Sequence, residues 1–93
     1  MVSAVVLIKA SVGDVNELAS ALVALRGVTQ VFSVAGNYDL VALLGVRENE
    51  DLADLVSGKI RKLEGIVSTE TLIAFRVYSA EDLAAGFSLG IEG

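Results

Sequence analysis

Two stretches of this chain, Ala4-Val5-Val6-Leu7-Ile8 and Leu40-Val41-Ala42-Leu43-Leu44, contain no polar residue. Both have the length and the Val, Leu and Ile content of β-strands. A strand that is wet on one face alternates apolar with polar, so an uninterrupted run marks a strand buried on both faces. The fold must therefore place these two segments inside a sheet and cover that sheet on both sides.

The rest of the chain supplies cover for one side only. The first strand spans Val2 to Ala10. Asp14 then caps a helix, with Glu17 three residues on in the manner of a capping box. Val15, Leu18, Leu22 and Leu25 recur at helical spacing, and Gly27 stands where a helix terminator belongs. Val28 to Ala35 reads as a second strand, Gly36-Asn37 as a tight turn, and Leu40 to Val46 as a third strand. Asn49 caps a second helix with an inner stripe of Leu52, Leu55, Val56, Ile60 and Leu63. Gly65 ends it, and Ile66 to Tyr78 forms a long fourth strand. The order is β-α-β-β-α-β. Leu18, Leu22, Leu25, Gly27 and Val28 have counterparts 38 positions later in Val56, Ile60, Leu63, Gly65 and Ile66. Two similar β-α-β halves are what an α+β, ferredoxin-like sandwich requires.

Right-handed crossovers put the first and third strands in the middle of such a sheet and the second and fourth at its edges. The composition agrees: the second strand carries Thr29, Gln30 and Ser33, and the fourth carries Ser68, Thr69, Glu70, Thr71 and Arg76. Two helices cover one face, and a second copy packed sheet to sheet is the simplest cover for the other. The expectation is a homodimer with facing antiparallel sheets, and beyond it a higher homo-oligomer. Apolar residues form 54% of the 93-residue chain, and a domain this small buries only about two thirds of its unfolded surface. Residues 1–78 form the expected domain and 79–93 a C-terminal extension that either packs on a neighbouring subunit or frays as a free tail. In that extension Ser79 caps a short helix through Ala85, and Phe87, Leu89 and Ile91 alternate as an added strand would.

Composition also excludes whole classes of chemistry. The chain has no Cys and no His, so disulfides, thiolate nucleophiles and the usual zinc and haem ligands are out. The commonest general acid-base at neutral pH is missing too. No metal and no cofactor is expected. A net charge of −5 opposes binding to nucleic acid, which selects the opposite sign. Lys59, Arg61 and Lys62 end a helix that begins with Glu48, Glu50 and Asp51, the arrangement a helix dipole favours, and read as a solvated helix end. No apolar run approaches the roughly 20 residues that cross a bilayer, and no basic segment precedes the first. A cytoplasmic location without membrane contact follows as an expectation.

The segment with most chemical potential is Gly36-Asn37-Tyr38-Asp39-Leu40. It is a hairpin turn, with glycine supplying an unusual backbone angle and Asn and Asp stabilising it. It also offers what a free amino acid needs: backbone N–H donors for a carboxylate, Asp39 for an ammonium, and Tyr38 as a wall or hydroxyl partner.

The first strand and helix, Leu25-Arg26-Gly27-Val28 leading to Val34-Ala35-Gly36-Asn37-Tyr38-Asp39-Leu40, then Leu63-Glu64-Gly65-Ile66 and Thr69-Glu70-Thr71, together resemble the effector-binding (RAM) domain of Lrp/AsnC transcription regulators. The likeness covers Met1 to about Tyr78, and the glycine-any-tyrosine-aspartate turn is its most telling element. It implies a ferredoxin-like fold, dimers built by facing sheets, often rings of dimers, and small effectors, usually amino acids, bound where dimers meet. By resemblance the ligand role passes to Gly36, Asn37, Tyr38 and Asp39, with Thr69 and Thr71 as further hydroxyl partners that also read as ordinary edge-strand threonines. Full-length family members begin with a helix-turn-helix domain, whereas here the first strand starts at once. The chain thus resembles the stand-alone members, and any effect on DNA would run through a partner such as a full-length Lrp/AsnC regulator.

Other readings compete. Facing ferredoxin-like sheets also resemble the small dimeric α/β-barrel monooxygenases and isomerases, whose pockets draw on His, Trp, Asn or Tyr. This chain has no His or Trp and only Tyr38 and Tyr78, which favours a non-enzyme. Asp39 and Glu70 could in principle form an acid-base pair, but nothing in the spacing fixes their separation. An ACT-like regulatory module shares the topology and binds amino acids, and a scaffold that binds nothing is a further alternative.

Overall fold

The computed structural model describes residues 1–78 and residue 80. Four strands, two α-helices and one short 3-10 helix follow in the expected order: β1 (Val2–Ala10), α1 (Val15–Val23), β2 (Val28–Ser33), β3 (Leu40–Val46), α2 (Asn49–Gly58), the 3-10 helix (Ile60–Lys62) and β4 (Ile66–Ile73). They build an antiparallel sheet in the order β2-β3-β1-β4. The two apolar strands are its centre and the two polar strands its edges, as read from composition.

Alternate residues of the central strands divide between two environments. Ala4, Val6 and Ile8 of β1, with Leu40, Ala42 and Leu44 of β3, are buried against Leu18 and Leu22 of α1 and Leu52, Leu55 and Ile60 of the second helical segment. Burying each large side chain of this set stabilises the protomer by about 1.5–3 kcal/mol. The intervening residues, Val5 and Leu7 of β1 and Val41 and Leu43 of β3, point the other way and are only half-buried. Phe32 of β2 and Leu72 of β4 lie beside them in register and are about half exposed. The face opposite the helices is thus an open apolar surface.

The 38-residue repeat goes deeper than its apolar pattern. Gly27 and Gly65 both take positive φ, 102° and 94°, a region that favours glycine. Each carbonyl accepts a hydrogen bond from a neighbouring N–H at 2.8 Å, Gly27 from Gly45 and Gly65 from Ser11. Two residues after each glycine the ladder skips a position, at Thr29 in β2 and at Val67 in β4.

Several boundaries differ from the sequence reading. Asp14 precedes α1 without a side-chain cap bond. Glu48, not Asn49, is the N-cap of α2, and its N–H donates to Asp51 Oδ2 at 3.2 Å. The second helix does not run unbroken to Leu63: it stops at Gly58 and resumes as the 3-10 helix that buries Ile60. β2 ends at Ser33, its last rung opposite Leu40. β4 ends at Ile73 rather than Tyr78 because its partner runs out: Ile73 pairs with Ala4, Ala74 N–H donates to Ser3 O at 2.9 Å, and β1 begins at Val2. The expected cap at Ser79, the helix to Ala85 and the added strand at 87–91 lie outside the described residues.

Candidate functional site

The β2–β3 turn sits against the end of β1. Gly36 adopts φ 136°, and Val34 N–H donates to Asp39 O at 3.0 Å to close the turn. Asp39 is half-buried and fixed twice: its N–H donates to Ile8 O at 2.9 Å, and its Oδ2 accepts from Ala10 N–H at 2.8 Å. Lys9 Nζ reaches Asn37 O at 3.4 Å. The Tyr38 hydroxyl donates to Glu70 Oε2 at 2.6 Å, tying the turn to β4 across the sheet. That hydrogen bond, reinforced by desolvation and by the negative charge of Glu70, holds the phenol above its ordinary pKa. Tyr38 therefore stays protonated at neutral pH and acts as a donor.

This geometry gives Gly36, Asn37, Tyr38 and Asp39 distinct roles. The N–H groups of Gly36, Asn37 and Tyr38 donate to no carbonyl among the described residues, so they are open to a bound anion. One Asp39 oxygen is already engaged, and the carboxylate serves first as an anchor between turn and β1. Asp39 and Glu70 are bonded to different partners, Ala10 and Tyr38.

Thr69 and Thr71 are not part of that cluster. They pair with Ile8 and Val6, whose side chains face the helices, whereas Glu70 pairs with Leu7 on the open face. Both threonines line a groove of about 580 Å³ between the second helical segment and β4, together with Ser57, Arg61 and Ser68. A small molecule held at the turn of one protomer does not touch the threonines of the same protomer through β4. Two residues named in the sequence have partners or surroundings that the sequence did not give. Glu70 emerges as Tyr38's partner only once the β1–β4 register is known, and Arg61, read as a solvated helix end, proves to be exposed and to line the groove. Among the described residues no group of His, Cys, Asp or Glu is arranged to hold a metal ion, and no helix is long and apolar enough to cross a membrane.

Comparison with known proteins gives one consistent result. The family model for the Lrp/AsnC ligand binding domain matches residues 3–83. HTH-type transcriptional regulator FL11 of Pyrococcus furiosus is 31% identical over 75 residues, covering 81% of this chain and 49% of that protein. The chain thus spans about half the length of the curated relatives it matches. The crystal structure of TTHA0845 from Thermus thermophilus is 46% identical with a TM-score of 0.80, over 85% of this chain and 99% of that one. A feast or famine regulatory protein from M. tuberculosis, solved in complex with L-methionine, is 26% identical with a TM-score of 0.70, over 86% of this chain and 54% of that one.

Proposed function

The chain belongs to the Lrp/AsnC ligand-binding-domain family, and from that premise we propose that it senses an amino-acid effector as a non-enzymatic, self-assembling module of the cytoplasm. The observation that carries the ligand role is the turn itself. Positive φ at Gly36 presents unpaired N–H groups beside the carboxylates of Asp39 and Glu70, which complements a zwitterion: N–H groups for its carboxylate, carboxylate oxygens for its ammonium. The related M. tuberculosis protein, solved with L-methionine, supports an amino acid as the ligand class. Thr69 and Thr71 take part as hydroxyl partners from the far side of β4, which requires a site shared between copies. The open apolar face supports assembly, because a small protomer gains by burying Val5, Leu7, Val41 and Leu43 against a second sheet.

A thermal-shift screen of the common amino acids tests the sensing role, since a ligand specific to the native state raises stability by mass action. A flat response across the panel would overturn it. Asp39→Ala is expected to weaken the best ligand about ten- to hundredfold, the consequence of losing one charged hydrogen bond. It should also lower the melting temperature, since Ala10 N–H loses its acceptor. Calorimetric titration and melts on one sample separate the two effects, and unchanged affinity in a folded, assembled variant excludes the ammonium role.

Direct DNA binding is not expected, because a net charge of −5 repels the phosphate backbone. In a mobility-shift assay at physiological salt the protein should leave duplex DNA unshifted. A tight, salt-sensitive complex would contradict this.

A further inference from the structure

The groove beside β4 has a composition unlike the turn's. Among the described residues Arg61 is the one charged residue that lines it, with the hydroxyls of Ser57, Ser68, Thr69 and Thr71. No carboxylate of the described residues lines the groove, although acids outnumber bases twelve to seven in the chain. Its volume of about 580 Å³ lies within the range of roughly 300–1,000 Å³ typical of small-molecule sites. The local fold places Arg61 at the groove: Ile60, fully buried, anchors the 3-10 helix to the core, and Arg61 next to it is left exposed and lines the groove.

A guanidinium set among hydroxyl donors and free of acidic competitors is a receptor for carboxylate, which it can hold through two parallel N–H bonds. We propose that this groove binds a carboxylate group with Arg61 as its anchor and Thr69 and Thr71 as supporting hydroxyls. The preferred effector is accordingly an amino acid with a second carboxylate in its side chain. The selection of ligand rests on the sensing role proposed above. In that reading the turn of one copy meets the α-carboxylate and ammonium, and the groove of a neighbouring copy is left for the side chain. The carboxylate affinity of the groove does not depend on that reading.

The test compares L-glutamate, L-aspartate, L-methionine and glutarate by thermal shift and calorimetric titration, on wild type and on Arg61→Gln. Arg61 is exposed, so the substitution keeps the fold, and light scattering checks that assembly is unchanged. The acidic amino acids should stabilise wild type at lower concentration than methionine. Arg61→Gln should weaken them about ten- to hundredfold while changing methionine binding little. Thr69→Val should weaken them less. Acidic amino acids binding no better than methionine, or with equal affinity to wild type and Arg61→Gln, overturns the inference and leaves the sensing role standing. Glutarate separates the two proposals. Stabilisation by glutarate that requires Arg61, with the full amino-acid panel silent, supports the groove and defeats the sensing role. Silence from all four ligands defeats the groove, and the full panel decides the sensing role.

Discussion

A chain carrying Val6→Asp is expected to fail to fold, and one carrying Leu43→Asp to fold but not to assemble. Both residues sit in the central strands, and both are apolar in uninterrupted runs. Val6 is 0% exposed, with its side chain among the helix contacts. A carboxylate there loses about 1.5–3 kcal/mol of apolar burial and must also be desolvated without a partner, which costs several kcal/mol more. Together these rival the roughly 5–14 kcal/mol that a domain of this size has in total. Leu43 belongs to the open face and is only partly buried in the single protomer. Aspartate there costs the protomer little, but a second sheet laid on it would bury an unpaired charge. Circular dichroism and light scattering at micromolar concentration read the two outcomes. Wild type should scatter as a multiple of the 9.7 kDa protomer and Leu43→Asp as a folded monomer. A monomeric wild type would remove the facing-sheet assembly, and an assembled Leu43→Asp would move the interface elsewhere.

Gly27→Ala should be the most damaging single-methyl change in the chain. A Cβ at this position would lie 2.8 Å from Leu55 Cδ2 and 3.1 Å from Val46 Cγ1, at a φ of 102°. The backbone strain costs about 1–3 kcal/mol and the overpacking of a buried leucine about 1–3 kcal/mol. The sum, about 2–6 kcal/mol, translates into a melting temperature lower by roughly 10–50 °C for a domain of this length. Gly36→Ala is the matched control: its φ is also positive, but nothing lies within 4 Å of the added methyl. It should lose the strain component alone. Melts at equal protein concentration compare them, since assembly makes stability concentration-dependent. Equal losses at the two glycines would show that backbone conformation, not the approach of α2, makes Gly27 necessary.

The element order, the central and edge strands and the repeat were all legible in the sequence because each is written locally. Apolar runs mark the doubly buried strands, and glycines mark the helix exits. The turn at Gly36 was legible for the same reason. What stayed hidden depends on pairing. Nothing near Glu70 in sequence announces Tyr38, 32 residues away. Nothing in Thr69-Glu70-Thr71 states which of the three faces the helices until β1 sets the register at Leu7 and Ile8. The end of β4 was misplaced because Val77 and Tyr78 have the strand character of their predecessors, and only the start of β1 decides where the ladder stops. Arg61 is the exposed helix end that the sequence suggested, and its place beside a groove was not legible because a basic helix end looks alike whether it meets open water or overhangs a groove.

The bond from Ala10 N–H to Asp39 Oδ2 gives the turn a reach beyond its own hairpin. Ala10 is the last residue of β1, and the next, Ser11, donates to Gly65 O while its own carbonyl receives Asp14 N–H at the entrance of α1. A guest that drew Asp39 away from Ala10 N–H would loosen the first of three consecutive joints that lead to the helix entrance and the Gly65 corner. Occupancy of the turn would then be linked to the tightness of the loop at residues 11–14, and by reciprocity anything clamping this loop would set how readily the turn accepts its guest. In hydrogen exchange the amide of Ala10 would register that traffic, protected in the empty protein and released as the guest arrives.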